Sequence, residues 1–242
     1  VVNLADVHGR LLADVVDVPV RGFALADVAD VEIGASSHSY TWNGVRIEVG
    51  IGAAFNVMNS LAAATTCEVL GIDRHVIADG LRAALPVPGR FEPIREGQDF
   101  DVIVDYAHTP DGLAAVLTSA RSVAQSGRVI VVFGCGGDRD RAKRPEMGRV
   151  ACLGAEVVVI TSDNPRSEDP SSIIDDILGG VTDHSAVSVE ADRRRAIELA
   201  ISGASHGDVV VIAGKGHEAT QTIGHEVLPF DDRLVARDVL RG

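Results

Sequence analysis

The 242-residue chain carries 35 acidic and 22 basic side chains, a formal charge of −13, with 46% hydrophobic residues and 25 Gly. That balance is ordinary for a soluble globular protein and excludes wholesale disorder and collagen-like repeats; the length suffices for one or two domains. The acidic excess argues against general nucleic-acid binding, which rests on neutralising phosphates. No apolar run is long enough to span a bilayer and no basic-then-apolar leader opens the chain. The odd set Cys67, Cys135 and Cys152 lacks metal or disulfide spacing, as expected of reduced thiols in a cytoplasmic protein.

In chain order, residues 1–50 read as β-rich, with Asn43-Gly44 between strand-like runs over 41–49 as a hairpin signal. Residues 54–70 read as a helix ending at Gly71, and a second helix fits 74–84. Pro86-Val87-Pro88-Gly89 then breaks the pattern as a linker, so domains of 1–88 and 89–242 are expected. After it, apolar strands at 102–106, 129–133, 157–161, 186–189 and 209–213 alternate with amphipathic helices at 111–124, 146–154, 170–179 and 193–203. This rhythm predicts an α/β fold with a mostly parallel sheet covered on both faces. Such sheets bind ligands beyond the carboxyl ends of their strands. The tail, 221–242, reads as a hairpin and a final helix. Residues 1–88 hold 5 basic and 10 acidic side chains and residues 89–242 hold 17 and 25, so neither half is a basic domain.

Four polar clusters follow these strands. Asp105-Tyr106-Ala107-His108-Thr109-Pro110 places a carboxylate where it could accept a ribose hydroxyl, while His108 alone reads as well as a structural histidine. The stretch 134–145 joins a glycine-rich strand end to Arg139, Arg141, Lys143 and Arg144. Five of the 22 basic residues fall within 139–149, although cations at a helix N-terminus oppose its dipole, which suggests an anionic ligand. It is not a nucleotide P-loop, because GxxxxGK[ST] is absent from the chain. Asp163-Asn164-Pro165-Arg166 reads as a turn that aims Arg166 at a carboxylate. Gly214-Lys215-Gly216-His217-Glu218 offers an acceptor for an ammonium and a second point charge. Lys143 and Lys215 are the only lysines, and an ammonium meets phosphate differently from a guanidinium. Arg139, Arg166 and Glu218 on neighbouring loops would suit a zwitterionic amino acid. No His/Asp/Glu set has metal-ligand spacing, and no Ser or Cys sits in a nucleophile elbow.

Read in order, Phe55-Asn56-Val57-Met58-Asn59, Gly89-Arg90-Phe91-Glu92, 105–110, 134–145, 163–166 and 214–218 resemble the motifs of the Mur ligase family over essentially the whole chain. The resemblance implies that 89–242 is a Rossmann-like carboxyl-terminal domain binding the incoming amino acid. It implies that 1–88 is the end of the α/β central ATP-binding domain. It also implies ATP and magnesium as cofactors, with the metal ligands mainly upstream. Asn56 and Asn59 then approach the adenine, and Arg90, Asp105 and His108 lie at the nucleotide. Lys143 meets the phosphates or a forming acyl phosphate. Arg139, Asp163, Asn164, Arg166, Gly214 and Glu218 receive the amino acid. The form of 163–166 is that of members adding meso-diaminopimelate to UDP-MurNAc-L-Ala-D-Glu in peptidoglycan precursor synthesis; lysine-adding members depart from it. Lysine lacks the far carboxylate, and stranding a desolvated Arg166 without it should cost about 2–5 kcal/mol. Those two substrates are the expected partners of a monomer, with no nucleic acid or membrane. The family's Walker-type loop, magnesium-binding residues, carbamylated lysine and UDP-sugar domain are not in this sequence. A carboxyl-terminal portion of a longer ligase, inactive alone, is therefore expected. The alternatives are a lysine-adding, folylpolyglutamate or cyanophycin-type ligase of the superfamily, or a non-catalytic amino-acid-binding module. A nicotinamide oxidoreductase lacks its glycine fingerprint.

Overall fold

Pro86 and Pro88 cannot continue the preceding helix, and beside them the chain divides into two compact units, Val1–Pro86 and Val87–Gly242. The computed structural model describes residues 1–124 and 126–242.

The first unit runs β1 (Val2–Asn3), α1 (Val7–Val15), β2 (Gly22–Phe23), β3 (Val28–Ile33), β4 (His38–Trp42), β5 (Val45–Val49), α2 (Ala54–Val69) and α3 (Arg74–Arg82). The Asn43-Gly44 turn forms as expected: φ is 46° and 78°, the left-handed pair that a two-residue hairpin needs. Tyr40, Trp42, Ile47 and Val49 from the sheet pack on Val57, Leu61, Ala64 and Ile77 from the helices. Within that core His38 and the Tyr40 hydroxyl both meet Ser60 Oγ, at 2.8 and 3.1 Å. The β-rich reading of residues 1–50 needs one correction, the helix α1. Asp6 caps it by accepting from the His8 and Gly9 N–H groups, a start signal obscured by the Gly at position 9.

The second unit runs β6 (Glu92–Ile94), β7 (Asp101–Asp105), α4 (Pro110–Ala124), β8 (Val129–Phe133), α5 (Lys143–Gly154), β9 (Val157–Ile160), α6 (Pro170–Leu178), β10 (Val187–Val189), α7 (Arg193–Ser202), β11 (Val209–Ala213), β12 (Thr220–Ile223), β13 (Glu226–Pro229) and α8 (Asp232–Arg241). The main sheet has the order β10-β9-β8-β11-β7-β6, parallel throughout except for β6 on β7. Strand β6 was not foreseen; it is three residues long and carries Pro93, which an edge tolerates. Alternation splits the apolar strands between faces. Val102, Val104, Ile130, Val132, Val210 and Ile212 meet Ala196, Ile197 and Ala200 of α7 and Val235 and Ala236 of α8. The opposite face packs under α4, α5 and α6, which adjoin one another.

Register brings the site into being. Ala213 pairs with Asp105, Ile212 with Val132, and Phe133 with Ile160, so four strands end at one level and their following loops gather on one edge. Helix α5 begins at Lys143, earlier than expected, which places Lys143 and Arg144 inside its first turn. Among the described residues no helix is long and apolar enough to cross a membrane. Leu113, fully buried on α4, tests the packing. Leu113→Ala should cost about 2–5 kcal/mol in urea unfolding of this unit, whereas Leu153→Ala, at a residue 74% exposed, should change stability by no more than about 0.5 kcal/mol.

Candidate functional site

Beyond the carboxyl ends of β7, β8, β9 and β11 lies a cavity of about 390 Å³. Its wall includes Tyr106, His108, Cys135, Arg139, Lys143, Asp163, Asn164, Arg166, Gly214 and Glu218. Two larger hollows, of about 560 Å³, lie elsewhere, but neither collects the residues singled out from the sequence. Eight of the twelve expected site residues thus line one cavity. Arg90 and Asp105 stand beside it, and Asn56 and Asn59 belong to the first unit. There Asn59 Nδ2 donates to Asn56 Oδ1 at 2.9 Å, and Asn56 Nδ2 to the Gly52 carbonyl at 2.6 Å.

Asp105 is buried, and each of its oxygens accepts a backbone N–H at 2.7 Å, from Phe91 and from Ala107. Burial pushes its carboxyl above the ordinary value, against the pull of those two donors and Arg90. It therefore closes the loop that carries Arg90, whose exposed guanidinium lies 4.4 Å from the Tyr106 ring centroid. His108 Nδ1 lies 2.9 Å from the Tyr106 carbonyl, and Lys143 Nζ donates to the His108 carbonyl at 2.7 Å. That bond draws the first turn of α5 toward the loop after β7.

Of the glycines after β8, Gly134 and Gly136 line the cavity, and Gly134 and Gly137 also let neighbouring backbone come close. A Cβ at Gly134 would lie 2.3 Å from the Thr161 carbonyl oxygen, and one at Gly137 would lie 1.9 Å from that of Pro165. The Gly137 N–H donates to the Asn164 carbonyl at 2.8 Å. These glycines let two loop backbones touch. Arg166, at φ 51°, returns a bond from Nη1 to the Gly137 carbonyl at 2.7 Å.

The basic cluster of 139–149 is likewise mostly consumed internally. Arg144 is fully buried and binds Glu168 and Asp176; Arg141 also binds Glu168, and Arg149 binds Glu146. Arg144 and Arg141 hold the Glu168 carboxyl well below its ordinary range. Arg139 and Lys143 are left to face the cavity. Lys215 is also corrected: it is fully buried, and its Nζ donates to the Thr220 carbonyl at 2.6 Å and approaches Asn164 Oδ1 and Glu218 Oε2, both at 3.4 Å. It is a structural cation and not a point charge offered to a ligand.

Asn164 donates to Glu218 Oε2 at 2.8 Å and accepts the Thr222 N–H at 2.9 Å, so it orients Glu218. Strand β12 copies the 163–166 loop along its length. Gln221 Nε2 donates to the Asp163 carbonyl at 2.7 Å, Arg166 N–H to the Thr222 carbonyl at 3.0 Å, and Gly224 N–H to the Arg166 carbonyl at 2.7 Å. Sequence reading missed this support, because a hairpin with only Gln221 buried gives no sign of what it backs. Asp163 itself is 7% exposed. Burial raises its carboxyl's proton affinity, with Arg193 and Lys215 pulling the other way. Gly214 makes room for it, since a Cβ there would meet Asp163 Oδ2 at 2.7 Å. Cys135, pushed up to about 12 by burial, is a neutral thiol. Among the described residues no three His, Cys, Asp or Glu side chains gather to hold a metal ion.

The fold and the cavity define a doubly covered α/β domain whose strand ends bring together two guanidiniums, three carboxylates and an ammonium. The family described as Mur ligase, glutamate ligase domain, matches residues 89–216, and the chain belongs to the Mur ligase family. It is 44% identical, over its whole length and 52% of the relative, to the UDP-N-acetylmuramoyl-L-alanyl-D-glutamate–2,6-diaminopimelate ligase of Syntrophomonas wolfei. It is 54% identical, over 77% of the chain and 38% of the relative, to the protein of the same name from Gloeobacter violaceus. A solved structure of a ligase of that name superposes with a TM-score of 0.68 at 36% identity, over 99% of this chain and 52% of the other. The UDP-N-acetylmuramate–alanine ligase of Thermotoga maritima shares the fold, with a TM-score of 0.63 at 20% identity, over 96% of this chain and 49% of the other. The chain spans about half the length of the curated relative it matches end to end.

A pH test follows from Asp163. Its folded proton affinity is raised, so its contribution to stability is fully present below the unfolded value, near pH 4, and is lost as pH rises through the folded value. Asp163→Asn should raise the thermal midpoint at pH 7.5 by about 2–4 °C and leave it unchanged at pH 3.5, as read by calorimetry at both pH values.

Proposed function

We propose that the chain is the amino-acid-receiving portion of an ATP-dependent amide ligase that joins meso-diaminopimelate to UDP-MurNAc-L-Ala-D-Glu in the cytoplasm. The observation that carries this reading is the charge pattern of one cavity: Arg139 and Arg166 with Asp163 and Glu218 on its wall. Diaminopimelate bears two carboxylates and two amines, and this set supplies an opposite partner for each. Guanidiniums match carboxylates as planar forks, and a largely desolvated carboxylate such as Asp163 gains most from an ammonium. The relatives of that name support the same substrate.

In this reading the domain of 89–242 binds and orients the amino acid, Asn164 and Gly214 setting Glu218 and Asp163 in place. Residues 1–88 are the end of a central nucleotide-binding domain, to which Asn56 and Asn59 contribute. Arg90, exposed over Tyr106 and without an ion pair among the described residues, fits the anionic part of a nucleotide. Asp105 holds that arginine's loop, and each of its oxygens keeps a second lone pair for a ribose hydroxyl. ATP, when bound, supplies the phosphoryl group that activates the acceptor carboxylate. Lys143, anchored on the His108 carbonyl, brings a positive charge to that side of the cavity, where developing phosphate charge is stabilised. Among the described residues no three His, Cys, Asp or Glu side chains gather to hold magnesium.

Calorimetric titration tests the assignment. The chain should bind meso-diaminopimelate more tightly than L-lysine, and Arg166→Ala should weaken the former by at least about tenfold, or about 1.4 kcal/mol, while leaving lysine unchanged. Equal affinity of parent and variant for meso-diaminopimelate would refute the role of Arg166.

A further inference from the structure

Arg193, the first residue of α7, lies on the helix face that also carries Ala196, Ile197, Ala200 and Ile201, all buried. Its side chain is fully buried, as is that of its partner Asp232 at the start of α8. Nε and Nη2 donate to Asp232 Oδ1 and Oδ2 at 2.8 and 2.7 Å. The same guanidinium donates from Nη2 to the Ala213 carbonyl at 2.9 Å and from Nη1 to the Ser162 carbonyl at 3.3 Å.

Those two carbonyls immediately precede Asp163 and Gly214. They belong to the chain leaving β9 and β11, which are not neighbours, since β8 runs between them. Past the last ladder bond the sheet no longer ties these segments together, yet their carbonyls are buried and need donors. A rigid fork with donors in several directions meets both at once. An apolar pair of similar volume would serve stability as well or better, but it could not bridge the two carbonyls. Asp232 supplies the countercharge that keeps the guanidinium in the interior.

We infer that Arg193, held by Asp232, is a positioning residue that fixes the spacing between the 163–166 loop and the 214–218 loop, and with it the placement of Asp163 and Glu218 relative to Arg166. Building on the proposed function, that spacing sets the preference for an amino acid with two carboxylates over one with a single carboxylate.

The test uses the chain with Arg193→Met and Asp232→Leu combined, Arg193→Lys alone and Asp232→Asn alone. Amide hydrogen exchange is followed in 162–166, in 213–218 and in β8, beside thermal midpoints and titration with meso-diaminopimelate and L-lysine. The double variant should keep a midpoint within a few degrees of the parent, while exchange in both loops quickens by about tenfold or more and β8 is unchanged. Its preference for meso-diaminopimelate should fall by at least about fivefold through the loss of positioning, and Arg193→Lys should recover part of both effects. If the double variant does not fold, Asp232→Asn, which keeps the shape of the pair, should still quicken exchange in both loops over β8. Unchanged loop exchange in a folded variant, or a uniform rise that includes β8, overturns the inference, because either result assigns the pair to stability alone. The exchange measurement needs no ligand. A parent that fails to bind meso-diaminopimelate would thus count against the proposed function and not against the pair.

Discussion

A cation withdrawn from water has to find acceptors where it is buried, because an unpaired one costs several kcal/mol even after relaxation. Three cations of the second unit, Arg144, Arg193 and Lys215, are completely buried, and each finds at least one acceptor in the segments at the carboxyl edge of the sheet. Arg144 draws Glu168, Asp176 and the Gly136 carbonyl together. Lys215 ties its own loop to β12 through Thr220 and to Asn164. Arg193 joins the segments leaving β9 and β11. None of these arrangements need add net stability over apolar packing. What they add is that each loop has one place to sit, since moving it would strand a charge.

That constraint changes the meaning of the sequence's most visible feature. The concentration of basic residues over 139–149 looked like a surface prepared for an anion. Folding spends Arg141, Arg144 and Arg149 on neighbouring carboxylates, and Arg139, Lys143 and Arg166 remain for the cavity. The glycine stretch has a structural task beside its place on the cavity wall. Glycine admits a ligand or another backbone equally well, and composition cannot separate the two. Here Gly134 and Gly137 admit the Thr161 and Pro165 carbonyls, so the loop bearing Arg139 rests directly on the loop bearing Arg166.

Much of the framework was legible because its periods are strong. The apolar strands, the alternating helices and the Asn43-Gly44 turn all form within a few residues of expectation. Helix α1 and strand β6 were not legible: one contains a helix-weakening Gly9 and the other is a three-residue edge defined only by pairing with β7. At the site, the motifs marked which loops matter, but not which side chains turn inward. A signal was nevertheless present. Arg193 precedes Ala196, Ile197 and Ala200, Arg144 precedes Met147, Gly148 and Ala151, and Asp232 precedes Val235 and Ala236, each at helical spacing. A charged residue at the head of an apolar stripe is placed to be buried, and three consecutive arginines at 193–195 hid the one that follows this rule.

The acidic balance of the chain can also be weighed against the anions proposed for it. A net charge of −13 would repel nucleotides and carboxylates at long range, but charges separated by more than about 8 Å are largely screened at physiological ionic strength. Inside a recessed cavity the screening is weaker, and the nearest groups decide. There Glu218 adds to the cost of ionising the buried Asp163, while Arg139, Arg166 and Lys143 stand on the same wall. A neutral ligand would leave both sets of charges unrelieved, and a simple anion would relieve only one. A molecule carrying ammonium and carboxylate groups at separate points relieves both at once, so the mixed wall selects for charge arrangement where a uniformly basic one would select only for charge.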